Sequence, residues 1–313
     1  MSDRATAIDH FLAGTRWENW ARHRMTPDAS TRSYMRLTSG DDSAILMDAP
    51  PETNALAPFI TMTDWLAQIG LRPPRILHRD TASGFLLLSD LGDTQLAVAA
   101  TQTDPAPLYQ AAVDVLIHLH RQSPLDLSPM TPVVAGQMTD LFAIHSVCDP
   151  ALVTPLANRV TALFETHAPA PQVVALRDYH AENLIWRPDR DGTDRVGLLD
   201  YQDAIIAPAG YDLVSLLRDA RREIPDALVA QLTAHFADGI GRSVADLAPS
   251  LALLGVQRNL RILGIFARLA QQGRPQYLDH LPRVRRQLDR DLSHPALSEF
   301  SDWLRPHLAK EAA

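Results

Sequence analysis

The feature that most constrains this chain is a short island of strand-forming residues, 173–201, set among long helical stretches. Within it, Leu184-Ile185-Trp186-Arg187 and Val196-Gly197-Leu198-Leu199 are apolar runs. They are separated by Pro188-Asp189-Arg190-Asp191-Gly192-Thr193-Asp194-Arg195, a stretch dense in turn formers. That pattern predicts a β-hairpin. Pairing Arg187 with Val196 and counting outward sets Ile185 against Leu198, Leu184 against Leu199 and Asn183 against Asp200. Opposed residues of an antiparallel pair have Cβ atoms roughly 4.5–5.5 Å apart. An amide and a carboxylate are therefore expected to meet at the open mouth of the hairpin.

Two hard oxygen donors, with room left for water and phosphate oxygens, suit a magnesium ion that arrives with a nucleotide. Asp178 lies five residues before Asn183 on the loop that enters the hairpin. A carboxylate there can accept the proton of a hydroxyl that attacks a phosphoryl group. Taken singly, each of these residues fits a structural turn equally well, since Asp and Asn are common turn formers. The combination D-x-x-x-x-N followed by an apolar strand ending in Asp is what points to phosphoryl transfer.

Around the island the chain divides in character. Residues 8–23 read as an amphipathic helix, with Phe11, Leu12, Trp17 and Trp20 as its apolar contacts. Strand-like runs follow at 34–38, 44–48, 76–78 and 85–88, with a helix over 57–69 closed by Gly70 and Pro73-Pro74. After Gly92 helices dominate: 108–121, 138–147, 151–167, 211–221, 226–238, 247–272 and 281–288. The expected class is α+β and bilobal. An N-lobe of mixed sheet plus helix spans 1–92, and a mostly helical C-lobe carrying the catalytic loop spans 93–313.

Composition removes several alternatives. With a net charge of −8 the chain lacks the basic surface that nucleic acid or an anionic membrane would select. No apolar run is long enough for a membrane span. The single cysteine, Cys148, excludes an internal disulfide and a cysteine zinc cluster, and fits a cytoplasmic setting. The single lysine, Lys310, stands next to the end, so no mid-chain lysine chemistry is available.

The stretch Arg177-Asp178-Tyr179-His180-Ala181-Glu182-Asn183-Leu184 resembles the H-x-D-x-x-x-x-N loop of aminoglycoside phosphotransferase and choline kinase-like enzymes. Leu199-Asp200-Tyr201-Gln202-Asp203, with Tyr211-Asp212-Leu213 behind it, resembles their metal-binding aspartate and following helix. The resemblance implies a protein-kinase-like fold that uses ATP and Mg2+, with Asp178 as catalytic base and Asn183 and Asp200 as metal ligands. Asp212 would then be a buried brace, where a carboxylate also caps helix N–H groups. The stretches 28–37, 46–52, 84–93 and 200–219 are similar, within that family, to the anomeric sugar kinases of cell-wall recycling. That similarity implies a small-molecule hydroxyl acceptor, the C1 hydroxyl of N-acetylmuramic acid or N-acetylglucosamine.

Departures from the family pattern leave alternatives open. The usual third-strand lysine has no counterpart near Met47. Arg32 and Arg36 are candidates for its phosphate-gripping role and read equally well as solvated surface arginines. Ser30, Arg32, Arg36 and Asp90 are the residues assigned to the nucleotide. The loop at 28–33 contains no glycine, and the first motif position is Leu176 instead of histidine. His180 has two readings, substrate contact and loop brace. Arg218 and Arg221 also have two, an acceptor carboxylate and a salt bridge to Asp203. A different acceptor (aminoglycoside, choline-like alcohol, other sugar) keeps the fold; a nucleotide-binding pseudokinase is the alternative from another class. Oligomeric state is left open.

Overall fold

The computed structural model of this chain describes residues 3–25, 32–51, 56–168, 170 and 172–309. It comprises two compact units, Met1–Gln102 with Glu182–Asp203, and Thr103–Ala181 with Ala204–Ala313. The division expected at Gly92 thus falls ten residues later, after Gln102, and the hairpin returns to the first unit. Backbone pairing explains the return. Trp186 N–H donates to Thr94 O at 2.8 Å, and Leu198 N–H donates to Arg72 O at 2.9 Å.

The chain begins with α1 (Asp3–Leu12), β1 (Ala21–Arg24), β2 (Ser33–Ser39), β3 (Asp42–Asp48), α2 (Leu56–Gln68), β4 (Ile76–Asp80), β5 (Phe85–Ser89) and α3 (Leu96–Gln102). The helix expected over 8–23 ends at Leu12 because Gly14 takes a left-handed φ of 69°, a common helix stop. The residues beyond it turn and enter β1. The five strands form one sheet in the order β1-β2-β3-β5-β4. Each pairing is antiparallel, so the mixed sheet expected resolves to an antiparallel one.

Strand alternation gives this sheet two unlike faces. Leu37, Ala44, Leu46, Phe85 and Leu87 project to one side and are buried against Ile8, Phe11 and Leu12 of α1. Burying each large apolar side chain contributes about 1.5–3 kcal/mol. Tyr34, Arg36, Ile45 and Leu88 are on the opposite face, where they line a cavity.

The second unit opens with α4 (Pro105–His120), α5 (Pro132–Gln137), α6 (Val153–His167) and β6 (Val173–Ala175). The helix expected over 138–147 is instead α5 followed by a π turn at Phe142–Ser146. The hairpin β7 (Leu184–Trp186) and β8 (Val196–Leu198) comes next and belongs to the first unit. The chain then returns through β9 (Ile205–Ala207), which pairs with β6. It continues as α7 (Tyr211–Leu217), α8 (Asp226–Gly239), α9 (Val244–Gln271), α10 (Leu281–Leu292) and α11 (Ser298–Leu308).

The 28-residue α9 is the spine of this unit's core: Leu253, Leu254, Val256, Leu260, Leu263 and Phe266 are buried along it. Gly255 on the same helix leaves space for the Asp291 carboxylate, which a Cβ would strike. Asp291 accepts from Arg218 Nη2 at 3.0 Å. No helix among the described residues is long and apolar enough to cross a membrane.

Candidate active site

The hairpin forms where the sequence places it, but its register differs by one residue. Leu184 opposes Leu198, Ile185 opposes Gly197 and Trp186 opposes Val196. Continuing that register sets Asn183 against Leu199, whose N–H donates to Asn183 O at 3.0 Å. A one-residue slip alone would send Asp200 to the wrong face. The backbone corrects for it: Asp200 has φ 57°, in the left-handed region that Asp and Asn tolerate better than most residues. The strand is broken there, and the Asp200 carboxylate returns to Asn183, whose Nδ2 donates to Oδ2 at 3.4 Å. The expected convergence is present, produced by local backbone conformation instead of strand pairing. Such rare conformations are concentrated at functional sites.

Gln202 fixes the other carboxylate oxygen. Its Nε2 donates to Asp200 Oδ1 at 2.9 Å and its Oε1 accepts from Arg32 Nη1 at 2.9 Å. A polar chain Arg32–Gln202–Asp200–Asn183 results. Arg36, projecting from β2, forms a two-pronged pair with Asp90 at the end of β5: Nε to Oδ2 is 2.8 Å and Nη2 to Oδ1 is 3.3 Å. Arg32, Arg36, Asp90, Asn183 and Asp200 all line one cavity of about 320 Å³ within the first unit. Ser30 lies outside the described residues.

Much of the remaining wall is apolar or aromatic, including Tyr34, Ile45, Phe59, Leu88, Leu91 and Tyr201, with Ser89, Gln95 and Glu182 as further polar members. Phe59 and Tyr201 stack with centroids 5.4 Å apart, and Tyr201 Oη lies 2.7 Å from Thr63 Oγ1. Burial raises the Tyr201 phenol pKa, so it stays protonated. An apolar slot with a few convergent polar groups at one end fits a flat heteroaromatic ring that carries charged groups. Asn183 and Asp200 offer the amide and carboxylate oxygens that a hard divalent ion takes together with phosphate and water. Where the family usually has a lysine, Met47 is fully buried and Ile45 faces the cavity.

Asp178 belongs to the second unit. The loop holding it is tied from two helices. Leu176 and Arg177 donate backbone N–H groups to the Asp212 carboxylate at 2.6 and 3.0 Å, and Ser215 Oγ donates to Arg177 O at 3.0 Å. Tyr179 Oη donates to Ala112 O of α4 at 2.8 Å. Arg177 takes φ 70°, a second non-glycine residue in the left-handed region. Burial pushes the Asp212 carboxyl up to about 7, and the two N–H donors and Arg258 only partly offset it. Asp212 is the buried brace expected, acting on the Asp178 loop instead of capping its own helix.

Asp178 and His180 line a cavity of about 180 Å³ together with Arg221, Arg258 and Arg261. His180 is buried, and desolvation with the nearby Arg221 pushes its imidazole down to about 4, so it is neutral at pH 7. Of the two arginines expected near an acceptor, Arg218 is taken up by Asp291 and Arg221 lies 3.8 Å from Asp219. Gln202, Arg258 and Arg261 were not singled out from the sequence. For the two arginines the one signal was their spacing, three residues apart, in the helical stretch 247–272.

The family model described as "Phosphotransferase enzyme family" matches residues 23–248. The chain is 37% identical to the N-acetylmuramate/N-acetylglucosamine kinase of Caulobacter vibrioides over 96% of each chain. It is 32% identical to the kinase of the same name from Pseudomonas aeruginosa, over 88% of this chain and 86% of that one. Among solved structures it is similar to choline kinase LicA from Streptococcus pneumoniae, with a TM-score of 0.65 at 14% identity, covering 92% of this chain and 99% of that one. At that identity the likeness establishes the fold alone, which is the α+β, protein-kinase-like fold expected.

Proposed function

The chain belongs to the phosphotransferase enzyme family, and from that premise we propose that it is a cytoplasmic, ATP- and magnesium-dependent sugar kinase. Its acceptor is the anomeric C1 hydroxyl of N-acetylmuramic acid or N-acetylglucosamine, the sugars named for its relatives. The observation that carries the reading is the Asn183–Asp200 pair, 3.4 Å apart at the polar end of an apolar-walled cavity. Asn183 and Asp200 are the residues to hold the metal. When bound, magnesium neutralises charge on the terminal phosphates and on the transferring group.

The chain's own groups do the rest. Phe59, Tyr201 and Leu88 enclose the base of the nucleotide. Gln202 orients Asp200 and Arg32 together, which gives Arg32 a fixed direction toward phosphate oxygens. Arg36, locked to Asp90, holds the strand end that borders the same cavity. Asp178, on a loop braced by Asp212, accepts the hydroxyl proton as the sugar oxygen bonds to the γ-phosphorus and the bond to the β,γ-bridging oxygen breaks. ADP leaves and the proton resides on Asp178 until it is lost to solvent.

The test is magnesium-dependent ATP consumption with N-acetylmuramic acid, N-acetylglucosamine, glucose, choline and kanamycin as acceptors. Turnover is expected with the two N-acetyl sugars. Turnover confined to choline or kanamycin would overturn the acceptor. Silence across all five, with ATP still bound, would make the chain a nucleotide-binding pseudokinase.

A further inference from the structure

The cavity of the second unit has an unusual charge balance. Asp178 is its carboxylate, His180 is neutral, and Arg221, Arg258 and Arg261 are its cations. Arg221 is near the buried Asp219, which also accepts from Arg222 Nε at 3.0 Å. Arg258 and Arg261 have no carboxylate ion pair among the described residues, and Arg258 Nε is a buried donor with no acceptor there. Both project from α9, three positions apart, on the face that also carries Ile262, Ile265 and Phe266 to the cavity wall. Like charges at that spacing repel. Their partial burial removes water that would otherwise compensate. Arg261 shows the strain, its pKa lowered first of all by desolvation.

Asp178 and the buried Asp212 act electrostatically on these two guanidiniums without forming an ion pair with either among the described residues, so their donor forks remain available to an external anion. A guanidinium's planar fork of donors matches a carboxylate. Beside it, the apolar wall of Ile262, Ile265 and Phe266 suits the carbon skeleton that bears such a group. Of the two sugars named for the relatives, N-acetylmuramate carries a carboxylate and N-acetylglucosamine does not. Resting on the kinase reading above, we propose that Arg258 and Arg261, with Arg221 beside them, form a carboxylate subsite that makes this chain selective for the acidic N-acetyl sugar. The neutral sugar is accepted without that contact and is turned over less efficiently.

The subsite is distinguishable from arginines that act on the transferring phosphoryl group. Loss of a phosphoryl contact lowers turnover of every acceptor alike, whereas loss of a carboxylate contact affects the acidic sugar. The experiment measures kcat/KM for N-acetylmuramate and N-acetylglucosamine at saturating magnesium-ATP. The proteins are the unaltered chain, Arg258→Met, Arg261→Met and Arg261→Lys. The ratio of acidic to neutral kcat/KM is expected to fall about ten-fold or more in each Met variant, mainly through KM for the acidic sugar. Arg261→Lys keeps the charge without the fork and restores part of the ratio. Thermal melting controls for folding, and removing one of two repelling charges is expected to leave Tm intact. An equal loss for both sugars, or an unchanged ratio, would overturn the subsite while leaving the kinase reading standing. Turnover of neither sugar by the unaltered chain would remove both.

Discussion

In the first unit's cavity the cations arrive already oriented, Arg36 by the Asp90 carboxylate and Arg32 by the neutral Gln202 amide, and the walls are largely apolar. In the second unit's cavity Arg258 and Arg261 have no ion-pair partner among the described residues, beside a half-buried Asp178. On the proposed reading the difference separates two tasks. A pocket for a magnesium-bound nucleotide needs pre-oriented, internally compensated charge, because the ligand brings its own cation to its phosphates. A pocket for an anionic acceptor needs cations that remain available. The family's fold is shared with a choline kinase. The acceptor therefore has to be argued from the side chains at Asp178, and not from the scaffold.

Changes that touch one unit and spare the other test this division. The largest effect is expected at Asp178. Asp178→Asn should lower kcat on the order of 10³-fold, within the range for a positioned general base, while nucleotide affinity stays nearly constant. Turnover retained in this variant would break the assignment of proton acceptance to the second unit. Asp200→Asn acts in the other direction. It should weaken nucleotide binding in magnesium about 100-fold, the scale of several kcal/mol of lost metal electrostatics, and change binding without magnesium little. Calorimetric titration with and without the metal checks it, and equal affinities in both proteins would remove the metal site from the hairpin mouth.

A smaller effect sharpens the picture of the braced loop. The His180 imidazole has a folded pKa of about 4 against an ordinary value of 6.5, so its contribution to stability is complete above pH 6.5 and is lost as pH falls toward 4. Asp212 has the opposite sign. Its folded value of about 7 lies above 3.8, so its contribution is present at low pH and is lost as pH rises to about 7. Between pH 4 and 6.5 the two slopes oppose each other. His180→Gln removes one of them and should leave a protein whose stability falls with rising pH. At pH 4 the unaltered chain should lose up to about 3 kcal/mol relative to this variant, compared with their difference above pH 6.5. Urea unfolding at pH 4.5, 6 and 7.5 reads this directly; parallel profiles for the two proteins would contradict it.

The fold and the meeting of Asn183 with Asp200 were legible because they rest on local pattern. Alternating apolar residues marked β2, β3 and β5 to within about two residues, and turn formers between two apolar runs marked the hairpin. The register was misread by one residue because pattern cannot show that Asp200 turns left-handed, and that single φ angle carries Asp200 to Asn183. Long-range partners were equally hidden. Arg218 is satisfied by Asp291, 73 residues onward, in space that only Gly255 leaves open. Arg258 and Arg261 fell inside the helix expected over 247–272, because sequence shows spacing but not which face has a partner.

Everything above depends on phosphoryl transfer to the anomeric hydroxyl of an N-acetyl amino sugar. Phosphorus and proton NMR of the product formed from N-acetylmuramate and magnesium-ATP tests it most directly. The prediction is a phosphorus signal coupled to the anomeric proton, together with loss of the reducing end. A product phosphorylated at another hydroxyl, with its reducing end intact, would contradict the claim.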